Sequence, residues 1–281
     1  MQPITDLREI GTLSRGDFEA TCQANTLYYY LGNCLGLCQV LTRYKIFVDT
    51  RDLGVTPHFI LDGFWESWIT QFMATIIEPG NICLDVGANF GYYSILMAEL
   101  TGEEGKTIAV EPNPHLARLL RCTAKLQSRN FMVAETALSN KTGMATLNIP
   151  EGHSGSASIH KTLSRQWGKN RKVKVPLKTM DQLVKEYGLA KVDVIKMDVE
   201  GIEPLVFEGM KKTIADNPQL KIIMEYTPEA YTDAGKFTRF LCDNFVVKKI
   251  WGATHLETMD VPDIDRMISI KDHLDLFLQK K

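Results

Sequence analysis

The stretch Asp85-Val-Gly-Ala-Asn-Phe-Gly-Tyr-Tyr-Ser94 is the strongest structural signal in this chain of 281 residues, and it directly follows the apolar segment Asn81-Ile-Cys-Leu84. The pattern predicts a buried strand, a glycine-rich turn and the start of a helix. Gly87 and Gly91 would let a ligand lie against the backbone, and the helix would begin with unpaired N–H groups. The stretch therefore predicts a site for a small molecule.

The spacing of the glycines indicates which small molecule binds. A dinucleotide site has the pattern G-x-G-x-x-G and holds a pyrophosphate at the start of the helix. Here only Gly87 and Gly91 are present, and Asp85 at the entrance of the turn would repel a phosphate. A cationic ligand with an amino acid end and a ribose fits better, and S-adenosylmethionine (SAM) is the common candidate.

A second acid supports this choice. The predicted strand Lys106-Thr-Ile-Ala-Val110 ends in Glu111, which is followed by Pro112-Asn113-Pro114. An acid at this position can accept hydrogen bonds from both ribose hydroxyls. NAD enzymes use an acid in the same way, so Glu111 by itself leaves both ligands open. The combination with the preceding turn favours SAM.

Several motifs, in the right order, resemble those of the FkbM-type SAM-dependent methyltransferases. They are Asp85 to Ser94, Glu111 to Pro114, Thr136-Ala-Leu-Ser-Asn140, Ile195-Lys-Met-Asp-Val-Glu-Gly-Ile-Glu203 and Ile222-Ile-Met-Glu-Tyr226. The resemblance covers most of the chain from about Trp65 onward. It implies an O-methyltransferase that acts on a hydroxyl of a sugar, a glycan or a polyketide-type natural product.

The same resemblance implies the cofactor site. Its residues are Asp85, Gly87, Ala88, Asn89, Gly91, Tyr93, Glu111, Pro112, Asn113, Thr136, Ala137, Leu138 and Asp198. The turn from Asp85 to Gly91 would hold the methionine end of SAM, Glu111 the ribose, and the segment that begins at Thr136 the adenine edge.

Strands and helices alternate from Ile82 onward, which predicts a doubly wound, Rossmann-like α/β sheet of the class I methyltransferase type. We expect residues 65–281 to form the methyltransferase domain and residues 1–64 a helical extension with a small β cap. In the cap, residues 1–42 are predicted to be helical, and residues 45–50 and 57–61 to be strands. Further along the chain, residues 172–176 are predicted to be an edge strand.

Composition narrows the choice of partners. A net charge of −2 and a pI near 6.3 give no basic surface for nucleic acid. Residues 26–41 are apolar but too short to cross a membrane, so we interpret them as a buried or interface helix. The polar N-terminus predicts no signal peptide. We therefore expect a cytoplasmic protein without a membrane span, and leave open a homo-oligomer formed through the N-terminal helix.

Methyl transfer to a hydroxyl needs the oxygen close to the methyl carbon and often requires removal of its proton. Asp198, Glu200 and Glu225 are predicted to be the catalytic residues, because they follow neighbouring strands of the predicted sheet. Glu203 is expected to cap or solvate the next helix. Asp198 and Glu225 could also hold Mg²⁺, but two side chains leave most of its shell empty, so we predict no metal.

A Gly/Ser-rich loop over residues 152–158 interrupts the alternation and is expected to border the acceptor. His153 and His160, in and beside this loop, are the predicted substrate-binding residues. Three alternatives remain: an N-methyltransferase of a small molecule or peptide, a nucleotide-binding oxidoreductase on the same sheet, and a SAM-binding protein without catalysis.

Overall fold

The computed structural model describes residues 1–129, 131–160, 169–259, 263, 266–267, 269 and 273–281. Its strands are β1 (Tyr28–Gly32), β2 (Leu35–Val40), β3 (Tyr44–Asp49), β4 (Ile82–Val86), β5 (Lys106–Val110), β6 (Met132–Ala134), β7 (Ala137–Leu138), β8 (Gly143–Pro150), β9 (Asn170–Lys178), β10 (Val194–Met197), β11 (Lys221–Tyr226), β12 (Phe245–Ile250), β13 (Leu256–Thr258) and β14 (Leu274–Lys280). Its α-helices are α1 (Arg15–Ala24), α2 (Thr56–Leu61), α3 (Ser67–Ile76), α4 (Tyr92–Thr101), α5 (Pro114–Ala124), α6 (Met180–Glu186), α7 (Glu203–Glu208), α8 (Lys211–Asp216) and α9 (Ala234–Asn244).

The largest sheet has the strand order β13-β12-β14-β11-β10-β4-β5-β6. Strands β11, β10, β4, β5 and β6 run parallel, whereas β14 is antiparallel to both of its neighbours. The chain leaves β4 toward β5 on one side and later returns to β10 on the other. This switch point opens a crevice beyond the carboxyl ends of the strands. The predicted Rossmann-like fold class is confirmed.

Apolar layers cover both faces of this sheet, which is why β4 is buried along its whole length. One layer contains α3, α4, α5 and much of the N-terminal cap, and the other contains α6, α7 and α9. Helix α3 ends shortly before Pro79-Gly80, which precede β4. The cap therefore shares its core with the helices that follow the binding turn.

The cap corrects the helical prediction for residues 26–41. These residues form an antiparallel hairpin of β1 and β2, and β3 completes a three-stranded sheet. Three consecutive tyrosines favour extended backbone. Gly32, Asn33 and Cys34 all take positive φ values, which produces the turn of the hairpin. Of the predicted N-terminal helix, α1 and a 3₁₀ turn at Leu7–Gly11 are present.

Two further strand predictions were wrong in detail. Residues 57–61 belong to helix α2, since Pro57 suits the first turn and the Asp52 carboxylate accepts hydrogen bonds from the Val55 and Thr56 N–H groups at 2.8 Å. Residues 172–176 lie in β9, which is the middle strand of a second small sheet, β7-β9-β8, and not an edge strand. The alternation did not reveal β8, which pairs along the open side of β9.

The Gly/Ser-rich loop is tied to both small sheets. Ser154 donates to Asp52 through its backbone N–H (2.9 Å) and its hydroxyl (2.7 Å). Ser158 pairs with Asn148 of β8, and its hydroxyl donates to the carbonyl of Glu200 at 2.8 Å. These contacts place the loop at the crevice. Within the described residues, no helix is long and apolar enough to span a membrane.

Candidate active site

A cavity of about 300 Å³ lies at the carboxyl ends of β4, β5, β10 and β11. Most of the predicted site residues are on its wall. They are Gly87, Ala88, Asn89, Tyr93, Glu111, Pro112, Thr136, Ala137, Leu138, His153, Asp198, Glu200 and Glu225. The fold thus brings together residues that are far apart in sequence, although their individual roles remain predictions.

Three residues predicted to contact the cofactor lie behind this wall, and their contacts explain why. Asp85 accepts a hydrogen bond from the Ser94 hydroxyl at 2.5 Å inside the core. Gly91 begins α4 with a φ of +99°, and a Cβ there would meet Leu120 at 2.3 Å. Asn113 is the N-cap of α5 and accepts from the His115 N–H at 3.1 Å. All three position the turns that form the wall.

His160 is also displaced from the predicted site. It lies in a second groove on the other side of the loop that follows β10, together with Phe207 and Tyr231. The neighbouring Ile159 faces the first cavity, so the chain crosses from one cavity to the other at this point. Of the two predicted histidines, His153 alone lines the candidate site.

The glycine turn joins the two halves of the cavity wall. Gly87 has a φ of +85°, and a Cβ at this position would stand 1.8 Å from the carbonyl oxygen of Asp198. Only glycine allows this approach. The turn after β4 therefore packs directly against the loop after β10.

Glu111 is buried and fixed in position. Its two carboxylate oxygens accept hydrogen bonds from the backbone N–H groups of Asn89 (2.9 Å) and Asn113 (2.8 Å). Each oxygen keeps a free lone pair, so the carboxylate can accept hydrogen bonds from two hydroxyl groups of a ligand in the cavity. Burial raises the pKa of Glu111 to about 7, while these backbone hydrogen bonds act in the opposite direction.

Two unsatisfied atoms test whether the residues fit SAM. The side-chain oxygen of Asn89, on the wall, and one carboxylate oxygen of Asp85, behind it, are buried without a hydrogen-bond partner among the described residues. Buried polar atoms of this kind are costly unless a ligand or water satisfies them. Because Asp85 lies behind the wall, Glu111 and Asn89 are the acceptors that suit the ribose hydroxyls and the ammonium group of SAM.

Thr136 does not offer its hydroxyl to the cavity in this arrangement. The hydroxyl donates to the carbonyls of Ala137 or Pro176, each at 3.1 Å, and the residue is buried. Thr136, Ala137 and Leu138 form a packed wall suited to the flat face of a base.

At the other end of the cavity, Lys196 and Asp198 form a hydrogen-bonded ion pair of 2.9 Å. Lys196 is buried, and its ammonium lies 4.9 Å from the centre of the Tyr93 ring. Burial disfavours the charge of Lys196, but the carboxylates of Asp198 and Asp85 outweigh it and raise the pKa. We did not predict Lys196 as a site residue, although a lysine within an apolar strand indicates a buried charge with a partner.

Glu200 and Glu225 complete the acidic end. Burial, followed by the charges of Asp198 and Glu225, raises the pKa of Glu200 to about 9. Burial and the charge of Asp198 raise the pKa of Glu225 to about 7, and the Thr227 hydroxyl donates to this carboxylate at 2.9 Å. Glu200 is thus protonated at neutral pH, whereas Glu225 is close to half ionised.

Glu203 holds the loop after β10 through hydrogen bonds to its backbone. Its carboxylate accepts hydrogen bonds from the N–H groups of Val199 (3.1 Å) and Gly201 (3.4 Å), and its other oxygen is buried without a partner among the described residues. Burial raises the pKa of Glu203 to about 8. The residue begins α7 and holds the loop that carries Asp198 and Glu200.

One further acid, Glu66, lies between the cap and α3. Its backbone is left-handed (φ 37°), it lines the cavity, and it accepts a hydrogen bond from the Tyr93 hydroxyl at 2.6 Å. Burial raises the pKa of Glu66 to about 7, while the charge of Lys196 lowers it. Glu66 was not among the predicted site residues, because its place at the cavity depends on how the cap folds.

Together, the switch-point cavity and its acceptor groups define a SAM-dependent methyltransferase of class I. The family model described as "Methyltransferase FkbM domain" matches residues 85–270, about two thirds of the chain, and the chain belongs to this family. This assignment confirms the predicted family, the methyltransferase class of the domain and SAM as its cofactor.

The chain shares about a quarter of its residues with two relatives over the matched segments. The chain is 26% identical over 156 residues to the 2-O-methyltransferase NoeI of Sinorhizobium fredii, covering 51% of this chain and 63% of that protein. It is 24% identical over 173 residues to the 31-O-demethyl-FK506 methyltransferase FkbM of Streptomyces tacrolimicus, covering 53% and 65%. The matches span less than two thirds of either relative.

Among solved structures, fibrillarin of Aeropyrum pernix with bound SAM is similar, with a TM-score of 0.39 and 14% identity, covering 72% of this chain and 68% of that one.

Proposed function

We propose that this protein transfers the methyl group of SAM to a hydroxyl of an uncharged acceptor of the sugar, glycan or polyketide type. The observation that carries the proposal is the acidic end of the cavity, where Asp198, Glu200 and Glu225 lie beside Lys196. Among the described residues of the wall, Lys196 is the only lysine or arginine. Such a wall repels phosphates and carboxylates and accepts neutral hydroxyls.

Bound SAM supplies an electrophilic methyl group next to a positive sulfur. For its binding, we assign the carboxylate of Glu111 as acceptor of hydrogen bonds from the ribose hydroxyls. The side-chain oxygen of Asn89 is assigned as acceptor of a hydrogen bond from the ammonium group of the methionine end. The packed wall from Thr136 to Leu138 is assigned to the adenine. The fixed hydrogen bonds of Glu111 support this assignment, because a carboxylate that is already oriented loses little freedom on binding.

For the acceptor, we assign separate tasks to the three acids. Asp198, paired with Lys196 at 2.9 Å, accepts the hydrogen bond of the acceptor hydroxyl and orients its oxygen. Glu225 takes the proton, since a base with a pKa near 7 is well matched to neutral conditions. Glu200, which holds its own proton, donates a hydrogen bond to a neighbouring oxygen of the acceptor.

The relatives support oxygen as the methylated atom, since both names describe O-methylation. An amine is the second candidate, because the same acids would attract an ammonium group. Glu225, the proposed base, could also take the proton of that group, so the acids do not rank the two candidates. The names of the relatives place the N-methyltransferase alternative below O-methylation.

Binding tests the cofactor assignment first. Calorimetry with SAM, with S-adenosylhomocysteine and with NAD should show binding of the first two only. Glu111→Ala should weaken SAM binding by about 1.5–3 kcal/mol, since charged hydrogen bonds are lost. Glu135→Ala, which removes a half-exposed acid paired with Arg121, is the control and should bind normally. Unchanged affinity in Glu111→Ala would remove this residue from the site.

Turnover then tests the acceptor class. Release of S-adenosylhomocysteine is measured with a neutral oligosaccharide, a hydroxylated macrolide, a sugar phosphate and a primary amine. We expect product with one of the neutral hydroxyl compounds and a rate that rises with pH through about 7, because Glu225 must be ionised to accept a proton. Turnover with the amine alone would replace O-methylation by N-methylation. SAM binding with no turnover on any compound would favour the non-catalytic alternative.

A further inference from the structure

Strand β1, at the edge of the cap sheet, is exposed on both of its faces. Five consecutive apolar residues, Leu27, Tyr28, Tyr29, Tyr30 and Leu31, have between 37% and 60% of their surface exposed. Single exposed apolar residues are normal, but a continuous run of this kind marks an interaction surface.

The outer edge of β1 is open for pairing. Within the part of the chain that the structure describes, β2 is the one strand paired with β1. The opposite edge of the cap sheet is covered, since the Phe47 N–H of β3 donates to the hydroxyl of Thr123 in α5. The pairing of β1 with β2 is regular from Tyr28 to Tyr30, so the exposed edge is straight there.

Proteins usually protect such an edge with charges or proline. Here no charged residue and no proline occurs between Glu19 and Arg43. Lys45 on β3 places its ammonium 5.7 Å from the centre of the Tyr29 ring, on one face of the sheet. The edge itself is therefore uncharged and offers no electrostatic match to a charged partner.

We propose that β1 is the contact of a homodimer, in which the β1 strands of two copies pair antiparallel across a two-fold axis. The same surface of each copy then forms the interface, as a dimer with two-fold symmetry requires. The two cap sheets become one sheet of six strands, and tyrosines face tyrosines across the axis. An uncharged strand is complementary to its own copy, whereas it lacks the charges that would select a different protein.

The contact would be small. With roughly 150–250 Å² for a fully exposed aromatic residue, the five residues expose roughly 500 Å² in each copy. Two copies would bury at most about 1,000 Å², because edge pairing covers only the side of each residue that faces the partner, and this is the size of a weak interface. Backbone hydrogen bonds along the strand edges add to this contact.

The proposed contact lies close to the candidate site along the chain. The carbonyl of Cys34, in the turn of the hairpin, accepts from the Thr50 N–H at 2.9 Å. Asp52, two residues further, holds Ser154 of the Gly/Ser-rich loop. Pairing of two hairpins would therefore steady the segment that anchors this loop.

Sedimentation equilibrium and light scattering of the full chain test the proposal. We expect a dimer for the wild type and a monomer for Tyr30→Lys, because a lysine on the edge opposes pairing. Met144→Lys replaces an exposed apolar residue of the edge strand β8 and should stay dimeric. Circular dichroism establishes that each variant is folded. A monomeric wild type at high micromolar concentration, or a dimer that survives Tyr30→Lys, would overturn the proposal.

A cross-link gives a measurement that does not require a disruptive charge. Near the two-fold axis, residue 29 of one copy approaches residue 29 of the other, so Tyr29→Cys should form an interchain disulfide on mild oxidation. Met144→Cys should not. Absence of the cross-link in Tyr29→Cys contradicts the antiparallel pairing. If the wild type is monomeric and binds neutral lipid vesicles through these tyrosines, the surface serves a membrane and the dimer is wrong.

Discussion

The two ends of the cavity hold their carboxylates in opposite ways. At the end formed by β4 and β5, Asp85 and Glu111 are held by a hydroxyl and by backbone N–H groups. At the end formed by β10 and β11, Asp198 and Glu225 crowd together beside Lys196. The first arrangement fixes oxygen atoms for recognition. In the second arrangement, burial and the charge of Asp198 raise the pKa of Glu225 to about 7, which suits the proton transfer proposed for it.

The strongest test of this division is the contact that joins the two ends. Gly87→Ala should prevent the turn after β4 from packing on the loop after β10, because the new Cβ would overlap the Asp198 carbonyl at 1.8 Å. We expect a loss of about 4 kcal/mol in the free energy of unfolding, or no folded protein. Chemical denaturation measures this change.

Gly102→Ala is the matched control. Gly102 also has a positive φ (+68°), but no atom lies within 4 Å of the added Cβ. Its cost should stay at about 1–3 kcal/mol, because it comes from backbone conformation alone (φ 68°, ψ −161°). Equal losses in the two variants would show that the close contact between Gly87 and Asp198 adds nothing to the cost in free energy of unfolding.

The turn at Gly87 and the acid Glu111 could be predicted because both depend on local order: a strand, a tight turn and a helix follow one another within a few residues. The switch-point cavity then follows from the alternation of strands and helices. Residues 26–41 could not be assigned in this way. We predicted a helix there, but the apolar run has no clear period, and the structure has a hairpin with its turn at Gly32.

The acidic end should depend strongly on its buried cation. Lys196→Met leaves Asp198 and Asp85 without their counter-charge, and we expect a loss of about 3 kcal/mol in unfolding free energy together with most turnover. Lys191→Met, which removes a solvent-exposed partner of Asp193, should cost less than about 1 kcal/mol. A loss in Lys196→Met no larger than in the control would mean that the carboxylates do not depend on the lysine as a counter-charge.

Lys196 and Glu66 show what the sequence leaves undetermined. Lys196 belongs to a predicted motif, but its function as a counter-charge depends on Asp85, which is distant in sequence and adjacent only in the sheet. Glu66 reaches the cavity because the cap and α3 place it against Tyr93. Contacts of this kind arise from tertiary packing, and no local pattern predicts them.

The dependence of folding stability on pH tests the raised pKa of Glu203. Glu203 has a pKa near 8 in the folded protein and an ordinary value of 4.5. Between these values the folded state holds a proton that the unfolded state has lost, so this residue makes stability fall as pH rises from about 4.5 to about 8. Glu203→Gln should gain at least roughly 2 kcal/mol relative to wild type over this interval, where the full difference in pKa would correspond to about 5 kcal/mol.

Unfolding by denaturant at pH 5 and at pH 8.5 measures the difference. Glu104→Gln, at an exposed position, controls for the loss of one negative charge. A constant difference between Glu203→Gln and wild type at both pH values would contradict the raised pKa of Glu203.

The smallest expected effect concerns the two histidines beside the Gly/Ser-rich loop. His153 lines the cavity, whereas His160 lies in the groove on the other side of the β10 loop. With an acceptor that gives turnover, His153→Ala should raise KM for that acceptor by roughly two- to fivefold, equivalent to about 0.5–1 kcal/mol for one hydrogen bond. His160→Ala should leave KM unchanged, and neither variant should alter SAM affinity measured by calorimetry. If His160→Ala has the larger effect on KM, the acceptor extends over the loop into the second groove, and the acidic end is then only part of the acceptor site.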